Sequence, residues 1–143
     1  MERPELGYLL NRLLRVAIAR EEPILERAGL RMWDYAVLSA LTENDAPTQA
    51  QLAADAGRDK TRLIGNLDRL EELGLVSRVP DPADRRNRVV SLTGEGRRVL
   101  KRCKAEIREM ERDLLHGIPA GDRAAFERSL TALVESLDDV SDH

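Results

Sequence analysis

Residues 63–96 constrain the fold of this 143-residue chain more than any other segment. A leucine-striped helical pattern ends near residue 74, and a strand-like run follows it. An arginine-rich turn over 81–88 then leads into a second strand-like run, Val89–Leu92. A helix followed by two short strands that are joined by a basic tip is typical of a winged helix-turn-helix domain.

The segment just upstream supplies the first helix of such a unit. A loop is expected over 43–47 because it is rich in Asn, Asp and Pro. Thr48 and Gln51 fit a capping box, in which each side chain bonds the backbone N–H of the other residue. The short helix that begins there is expected to end at Gly57, and Asp59 is placed to cap the next helix. Two short helices around a tight turn predict a helix-turn-helix.

The distribution of charge favours a nucleic-acid partner although the net charge is −3. Residues 1–54 carry a net charge of −2, residues 55–104 carry +5, and residues 105–143 carry −6. Binding to a polyanion needs a locally positive surface and not a basic protein as a whole. A charge run alone more often marks a solvated helix face, but the basic hairpin in the positive third favours DNA binding.

The polar side of the second helix carries the predicted base contacts. Arg62 suits guanine because it can bind bidentately, and Asn66 suits adenine for the same reason. Gly65 is interpreted either as a point of close backbone approach to DNA or as incidental. The alternative for the whole face is an ordinary solvent-exposed helix surface. The candidate residues are Lys60, Thr61, Arg62, Gly65, Asn66 and Arg69.

The hairpin tip carries the predicted backbone contacts. An Asp two residues before an Arg can hold the guanidinium in place through a charge-assisted hydrogen bond, so Asp84 is predicted to order the tip. The alternative is a salt-bridged hairpin that touches nothing. The candidate DNA contacts are Arg85, Arg86 and Arg88.

Long amphipathic helices are predicted on both sides of the central module. Apolar residues recur at helical spacing over 5–28, and at alternating steps of three and four over 94–116 and 120–139. A small winged module cannot cover all three stripes. The first and last helices are therefore expected to pack together and, across a two-fold axis, onto a second copy of the chain.

The tip sequence Asp84-Arg85-Arg86, with the downstream run 90–93 and Gly96, resembles the wing of the MarR (multiple antibiotic resistance regulator) family. The resemblance covers the wing closely and the rest of the chain by organisation. It implies a mainly α fold with a small β-hairpin wing, and a contact between Arg86 and DNA that Asp84 orients. The expected parts are an N-terminal dimerisation helix at 1–30, a winged helix-turn-helix DNA-binding domain at 31–93, and C-terminal dimerisation helices at 94–143.

The same resemblance implies a homodimeric regulator, most often a repressor, that binds a palindromic operator in double-stranded DNA. Members of the family commonly bind small phenolic or anionic effectors between the dimer helices and the DNA-binding lobe. Two aromatic rings could stack on such an effector and two arginines could pair with an anion, although each of the four also fits an ordinary core or surface position. The candidate effector residues are Arg12, Arg15, Trp33 and Tyr35.

Little in the sequence supports catalysis. The only histidines are His116, near a predicted helix end, and His143, no serine lies in a Gly-x-Ser-x-Gly motif, and no Cys/His spacing suits a metal. We therefore expect no enzyme activity, no cofactor and no metal. Cys103 lies on a helical seam, where a buried structural role is favoured over redox sensing. No apolar run reaches 18 residues, so a cytoplasmic protein is expected. The remaining alternatives are a constitutive DNA binder without an effector and a helical protein-interaction subunit without a DNA role.

Overall fold

The computed structural model describes residues 2–42 and 47–141. Within these residues it contains six α-helices, a short 3-10 helix at Leu115–Gly117 and one antiparallel hairpin. The predicted fold class, mainly α with a small β-hairpin wing, is confirmed. The elements in chain order are α1 (Leu6–Arg27), α2 (Met32–Leu41), α3 (Gln49–Ala56), α4 (Lys60–Glu72), β1 (Val76–Pro80), β2 (Arg88–Leu92), α5 (Gly94–Leu114) and α6 (Ala120–Ser141).

Local capping sets the ends of the helix-turn-helix, α3 and α4, as predicted. The Thr48 Oγ1 accepts the N–H of Gln51 at 3.2 Å, and the Gln51 Oε1 accepts the N–H of Thr48 at 2.9 Å. Gly57 ends α3 in the left-handed conformation with φ of 68°, which a residue with a Cβ adopts only at a cost. The Asp59 Oδ1 then accepts the N–H of Arg62 at 3.0 Å, and α4 begins.

The core around the helix-turn-helix lies where α2, α3 and α4 meet. Its side chains are leucines and valines with almost no exposed surface, and burial of each such side chain contributes about 1.5–3 kcal/mol to folding. The two faces of α4 thereby acquire different roles, because the leucine face is inside and the polar face is left outside. The core residues from these helices are Val37, Leu38, Leu41, Leu52, Leu63, Leu67 and Leu70.

The hairpin is held against the start of α3 by contacts that the sequence did not predict. β1 pairs with β2 in a register that places Arg78 opposite Val90. The N–H of Val90 donates to the carbonyl oxygen of Pro47 at 2.9 Å, and Val89 forms an isolated bridge with Thr48. Most of the predicted loop at 43–47 lies outside the described residues. Pro47 itself is buried and docks the base of the wing.

A junction without room for a side chain joins α4, β1 and α5. Thr93 donates its hydroxyl to the carbonyl oxygen of Gly74 at 2.6 Å and accepts the N–H of Gly96 at 3.0 Å. The N–H of Thr93 also bonds the carbonyl oxygen of Leu75 at 3.1 Å. A Cβ on Gly96 would collide with that same carbonyl oxygen and lie 3.0 Å from its carbon. The glycine is therefore required by close packing of α5 on the preceding turn.

The chain divides into two compact units within α5, at Ile107–Arg108. In the first unit Leu100, Cys103 and Ile107 are buried, as the predicted seam of α5 requires. The first unit contains the whole helix-turn-helix and its wing. The partition into 1–30, 31–93 and 94–143 stays a prediction because it concerns packing against a second copy.

The first and last helices each carry an exposed apolar face. On α1, Leu10 is 41% exposed and Leu14 is 56% exposed. On α6, Leu133 is 51% exposed and Leu137 is 58% exposed. Such contiguous apolar surface is unusual on a soluble monomer. None of the helices within 2–42 and 47–141 is both long enough and apolar enough to cross a membrane.

Candidate nucleic-acid interface

The first turn of α4 presents polar side chains to solvent. The Arg62 side chain is 71% exposed, and its Nε lies 3.4 Å from the Asp59 Oδ2. Asp59 therefore both caps the helix and directs the guanidinium beside it. Gly65, one turn further along, is also exposed, and a Cβ there would meet nothing within 4 Å. Lys60 and Thr61 are exposed as well.

The tip of the wing is a turn ordered through its main chain. The Asp84 Oδ1 accepts the backbone N–H of Arg86 at 3.1 Å, and the Asp84 carbonyl accepts the N–H of Asn87 at 3.0 Å. The contact differs from the predicted one, because the carboxylate bonds the backbone of Arg86 and not its guanidinium. A fixed turn with a solvent-facing guanidinium leaves the cation available to a phosphate. The exposed tip cations are Arg85, Arg86 and Arg88.

A nearly buried arginine ties the wing to the helix-turn-helix. The Arg78 side chain is only 9% exposed. Its Nη2 donates to the Asp68 Oδ1 at 2.6 Å, its Nε to the Glu71 Oε2 at 3.3 Å, and its Nη1 to the Gln49 Oε1 at 3.4 Å. These bonds join β1 to α4 and to α3 at once. Arg78 was not among the residues predicted from the sequence, although strand alternation places it on the same face as the buried Val76.

The contact between Arg78 and Glu71 shifts the pKa of both side chains toward the charged forms. The hydrogen bond to Glu71 raises the pKa of Arg78, and the hydrogen bond from Arg78 lowers the pKa of Glu71 below 4.5. Because the unfolded chain binds this proton more readily, the pair stabilises the fold above pH 4.5. That contribution is lost as the pH falls through the lowered pKa of folded Glu71.

Replacement of Glu71 with glutamine should therefore flatten the acid end of the stability profile. We expect the melting temperature of the parent protein to fall more steeply than that of Glu71→Gln as the pH decreases below 4.5. At pH 7 the variant should melt at a lower temperature than the parent. Circular dichroism melts across this pH range measure both effects. Profiles that coincide at every pH would show that the pair contributes nothing to stability.

A second unpredicted group, the carboxylate of Asp34, binds polar side chains in the middle of α4. Asp34 is 0% exposed and lies in the first turn of α2. Its Oδ1 accepts the Asn66 Nδ2 at 3.0 Å, and its Oδ2 accepts the Arg69 Nε at 3.1 Å. Asn66 and Arg69 were both predicted on the DNA face, yet the structure turns their polar atoms toward α2. The spacing of Asp34 from Val37 and Leu38 is the signal that marks its place on the buried stripe.

The candidate effector residues lie on α1 and α2 in the first unit. The ring of Trp33 is 41% exposed, and the Arg58 guanidinium carbon lies 4.3 Å from its centroid as a cation–π pair. The Nη1 of Arg12 lies 3.4 Å from the hydroxyl of Tyr8, on the exposed face of α1. Arg15 is exposed and Tyr35 is half-buried. A groove of about 580 Å³ in the second unit includes none of these four residues. It is lined by Arg108, Glu111, Arg112, Glu127, Leu130 and Thr131.

The single cysteine belongs to the core. Cys103 is buried in α5, and this burial raises the pKa of its thiol, which disfavours the reactive thiolate. Across residues 2–42 and 47–141 there is no cluster of three or more His, Cys, Asp or Glu residues that could hold a metal ion.

Comparison with known proteins gives consistent matches over nearly the whole chain. The sequence model of the MarR family matches residues 28–87. The HTH-type transcriptional repressor Rv2887 of Mycobacterium tuberculosis is 29% identical over 128 residues, which are 90% of this chain and 92% of that protein. A MarR-family transcriptional regulator from Rhodococcus sp. RHA1 is 32% identical, with 92% of this chain and 96% of that one covered and a TM-score of 0.77. CouR from Rhodococcus jostii RHA1, crystallised with p-coumaroyl-CoA, is 33% identical over 91% of this chain and 92% of its own, with a TM-score of 0.74.

Proposed function

Since the chain belongs to the MarR family of transcriptional regulators, we propose that it is a homodimeric repressor of a palindromic operator in double-stranded DNA. The family is one of regulators and not of enzymes. The similarity to a mycobacterial repressor supports repression over activation. The observation that carries the proposal is the exposure of the cations in the first turn of α4 and at the tip of the wing, together called the cationic face.

The two parts of this face suit two kinds of DNA contact. The first turn of a recognition helix reaches base edges in the major groove, so Thr61 and Arg62 are the proposed base readers. The exposed arginines of the wing suit phosphates or the adjacent minor groove. The buried tether at Arg78 holds the wing relative to α4, so both parts would engage one duplex together.

Dimerisation is proposed from the exposed leucines of α1 and α6. A second copy would remove these apolar faces from water and would duplicate the cationic face. Two recognition helices related by a two-fold axis lie about 34 Å apart when they read successive major grooves, which matches a palindromic operator. Light scattering at micromolar concentration should give twice the protomer mass, and a monomeric mass would contradict the dimer.

Selection of binding sites from a random duplex library tests the proposed function most directly. We expect enrichment of a palindrome, and the logarithm of the affinity for it should fall linearly with the logarithm of salt concentration. A random duplex of the same length serves as the control for non-specific binding. If no duplex binds with salt-sensitive affinity, the DNA role is wrong, and a helical protein-interaction subunit becomes the better description.

We further propose that a small phenolic or anionic effector releases the operator. The similarity to CouR, whose crystal structure holds p-coumaroyl-CoA, supports this class of ligand. Arg12, Arg15, Trp33 and Tyr35 remain the proposed contacts. The effector must bind the DNA-incompetent state more tightly than the DNA-bound state. Phenolic acids that raise the melting temperature should also release the operator. If none of them stabilises the protein at millimolar concentration, a constitutive DNA binder without an effector is favoured.

Substitution of Gly65 by alanine tests separately how this residue affects the stability of α4 and how closely DNA approaches its backbone. The variant should unfold with a free energy about 1 kcal/mol greater than the parent, because alanine favours a helix and its Cβ meets nothing within 4 Å. If the DNA backbone approaches this point, the same methyl group should weaken operator binding. Denaturant unfolding and fluorescence polarisation measure the two effects. A stabilised variant with unchanged affinity would show that Gly65 is incidental to recognition.

A further inference from the structure

The Asp34 carboxylate on α2 accepts hydrogen bonds from three different residues. Besides Asn66 and Arg69 it accepts the backbone N–H of Arg31 at 2.8 Å, so both of its oxygens are engaged. A fully buried carboxylate is costly unless its charge is paired and its lone pairs are bonded. Arg69 supplies the countercharge, and the other two donors complete the set.

The partners on α4 are one turn apart and face the same direction. Arg69 also donates its Nη2 to the carbonyl oxygen of Gly29 at 2.9 Å, in the turn between α1 and α2. The apolar contacts of α4 with the core are non-directional and leave the helix some freedom to rotate about its axis. Hydrogen bonds to the buried carboxylate of Asp34 are directional and oppose this rotation.

The geometry of Asn66 argues against a base contact by this residue. Adenine is read by an amide that presents both its oxygen and its nitrogen to the base edge. The Nδ2 of Asn66 is committed to Asp34, and its Oδ1 is buried from solvent. The Nε and Nη2 of Arg69 are likewise committed, to Asp34 and to Gly29. Neither side chain is therefore arranged to read DNA.

The residue beside Asp34 contacts the turn that precedes the recognition helix. Trp33 stacks on Arg58, which lies in the turn immediately before the Asp59 cap of α4. The first turn of α2 thus contacts α4 through Asp34 and the preceding turn through Trp33. Rotation of α4 would move the long Arg62 side chain away from the base edges that it has to reach.

We infer that Asp34 is the positioning residue of the recognition helix, and that Asn66 and Arg69 hold the helix to it and do not read the operator. The inference rests on the proposed function. It narrows the contacts of α4 with DNA to Lys60, Thr61, Arg62 and Gly65.

The test compares four variants of the full-length protein for affinity toward the selected operator and a random duplex over a range of salt concentrations. The variants are Asp34→Asn, Arg69→Gln, the double variant of these two, and Arg62→Gln. We expect Asp34→Asn and Arg69→Gln each to lower the ratio of specific to non-specific affinity by about tenfold or more, since a misplaced helix loses base contacts. Their salt slopes should stay at the parent value because no phosphate contact is lost.

The double variant should lose no more specificity than either single variant, because all three lack the same contact. Arg62→Gln is the matched control, since it removes an exposed arginine of the same helix. A new site selection with this control should show a changed base preference. A new selection with Asn66→Ala should return the parent operator. This variant leaves the buried ion pair of Asp34 and Arg69 intact, so it keeps the test decisive if the other variants fold poorly.

Two results would overturn the inference while leaving the proposed function intact. One is a salt slope reduced by about 0.9 for each lost contact in Arg69→Gln, which would place Arg69 on a phosphate. The other is an altered base preference in Asn66→Ala, which would make Asn66 a reader of the operator. By contrast, a parent protein without any salt-sensitive duplex affinity would overturn the proposed function, and the positioning role with it.

Discussion

Replacement of Arg86 by alanine should weaken operator binding and leave the fold intact. The guanidinium is exposed at the tip of the wing, and the bond that orders the turn uses the main-chain N–H, which alanine retains. A dimer would lose two cationic contacts. The slope of log affinity against log salt should therefore decrease by roughly 1.8, or about 0.9 for each lost phosphate contact. At low salt the affinity should fall by about tenfold to a hundredfold, as expected for contacts worth about 1–3 kcal/mol in total.

Arg128→Ala is the matched control for this prediction. Arg128 is an exposed arginine on α6, outside α4 and the wing, so its removal changes the net charge equally. We expect its salt slope to equal that of the parent protein. Fluorescence polarisation at several salt concentrations measures the slopes, and thermal melts confirm that both variants fold. If Arg86→Ala also keeps the parental affinity and slope, the wing has no part in the mechanism.

Replacement of Gly96 by alanine should produce the largest loss of stability among single methyl additions in this chain. The new Cβ collides with the carbonyl oxygen of Leu75, and that oxygen is held by the N–H of Thr93. The neighbour is backbone and not the end of a flexible side chain, so relief requires a shift of α5 or of the turn after α4. Overpacking of this kind costs about 1–3 kcal/mol, and we expect the upper end of that range.

Gly94→Ala provides the comparison at the same end of α5. A Cβ on Gly94 would meet nothing within 4 Å, so this variant should be as stable as the parent or slightly more stable. Denaturant unfolding at one fixed protein concentration measures both variants, because the stability of a dimer depends on concentration. Equal unfolding free energies for the two variants would contradict the close approach of α5 to Leu75.

The boundaries of the helix-turn-helix could be predicted because their causes are local. Thr48 and Gln51 cap each other across three residues, Gly57 relieves a left-handed turn, and Asp59 bonds a backbone N–H three residues away. The alternation around the basic tip indicated the hairpin for the same reason. The exposure of Arg86 followed from its place in that tip.

The partners of the polar side chains on α4 could not be predicted in this way. Helical spacing placed Asn66 and Arg69 on the face opposite the leucines, and a polar side chain on that face is compatible with solvent, DNA or a neighbouring helix. Asp34 and Arg78 are charged residues, which favours exposure, but their spacing places them on buried faces and both are nearly buried. Each is buried because partners of opposite charge or with complementary hydrogen-bonding groups lie on another element.

The sequence by itself determined the order of the elements, their caps and the concentration of cations in the wing, because these depend on residues within a few positions of one another. Only the tertiary structure decided which of the predicted DNA contacts are free to meet a duplex. Asp34 and Asn66 are 32 positions apart in the sequence, and Asp34 and Arg69 are 35 apart. These contacts exist only after α2 and α4 have packed, because the local sequence preferences of each helix do not determine how the two helices lie against each other.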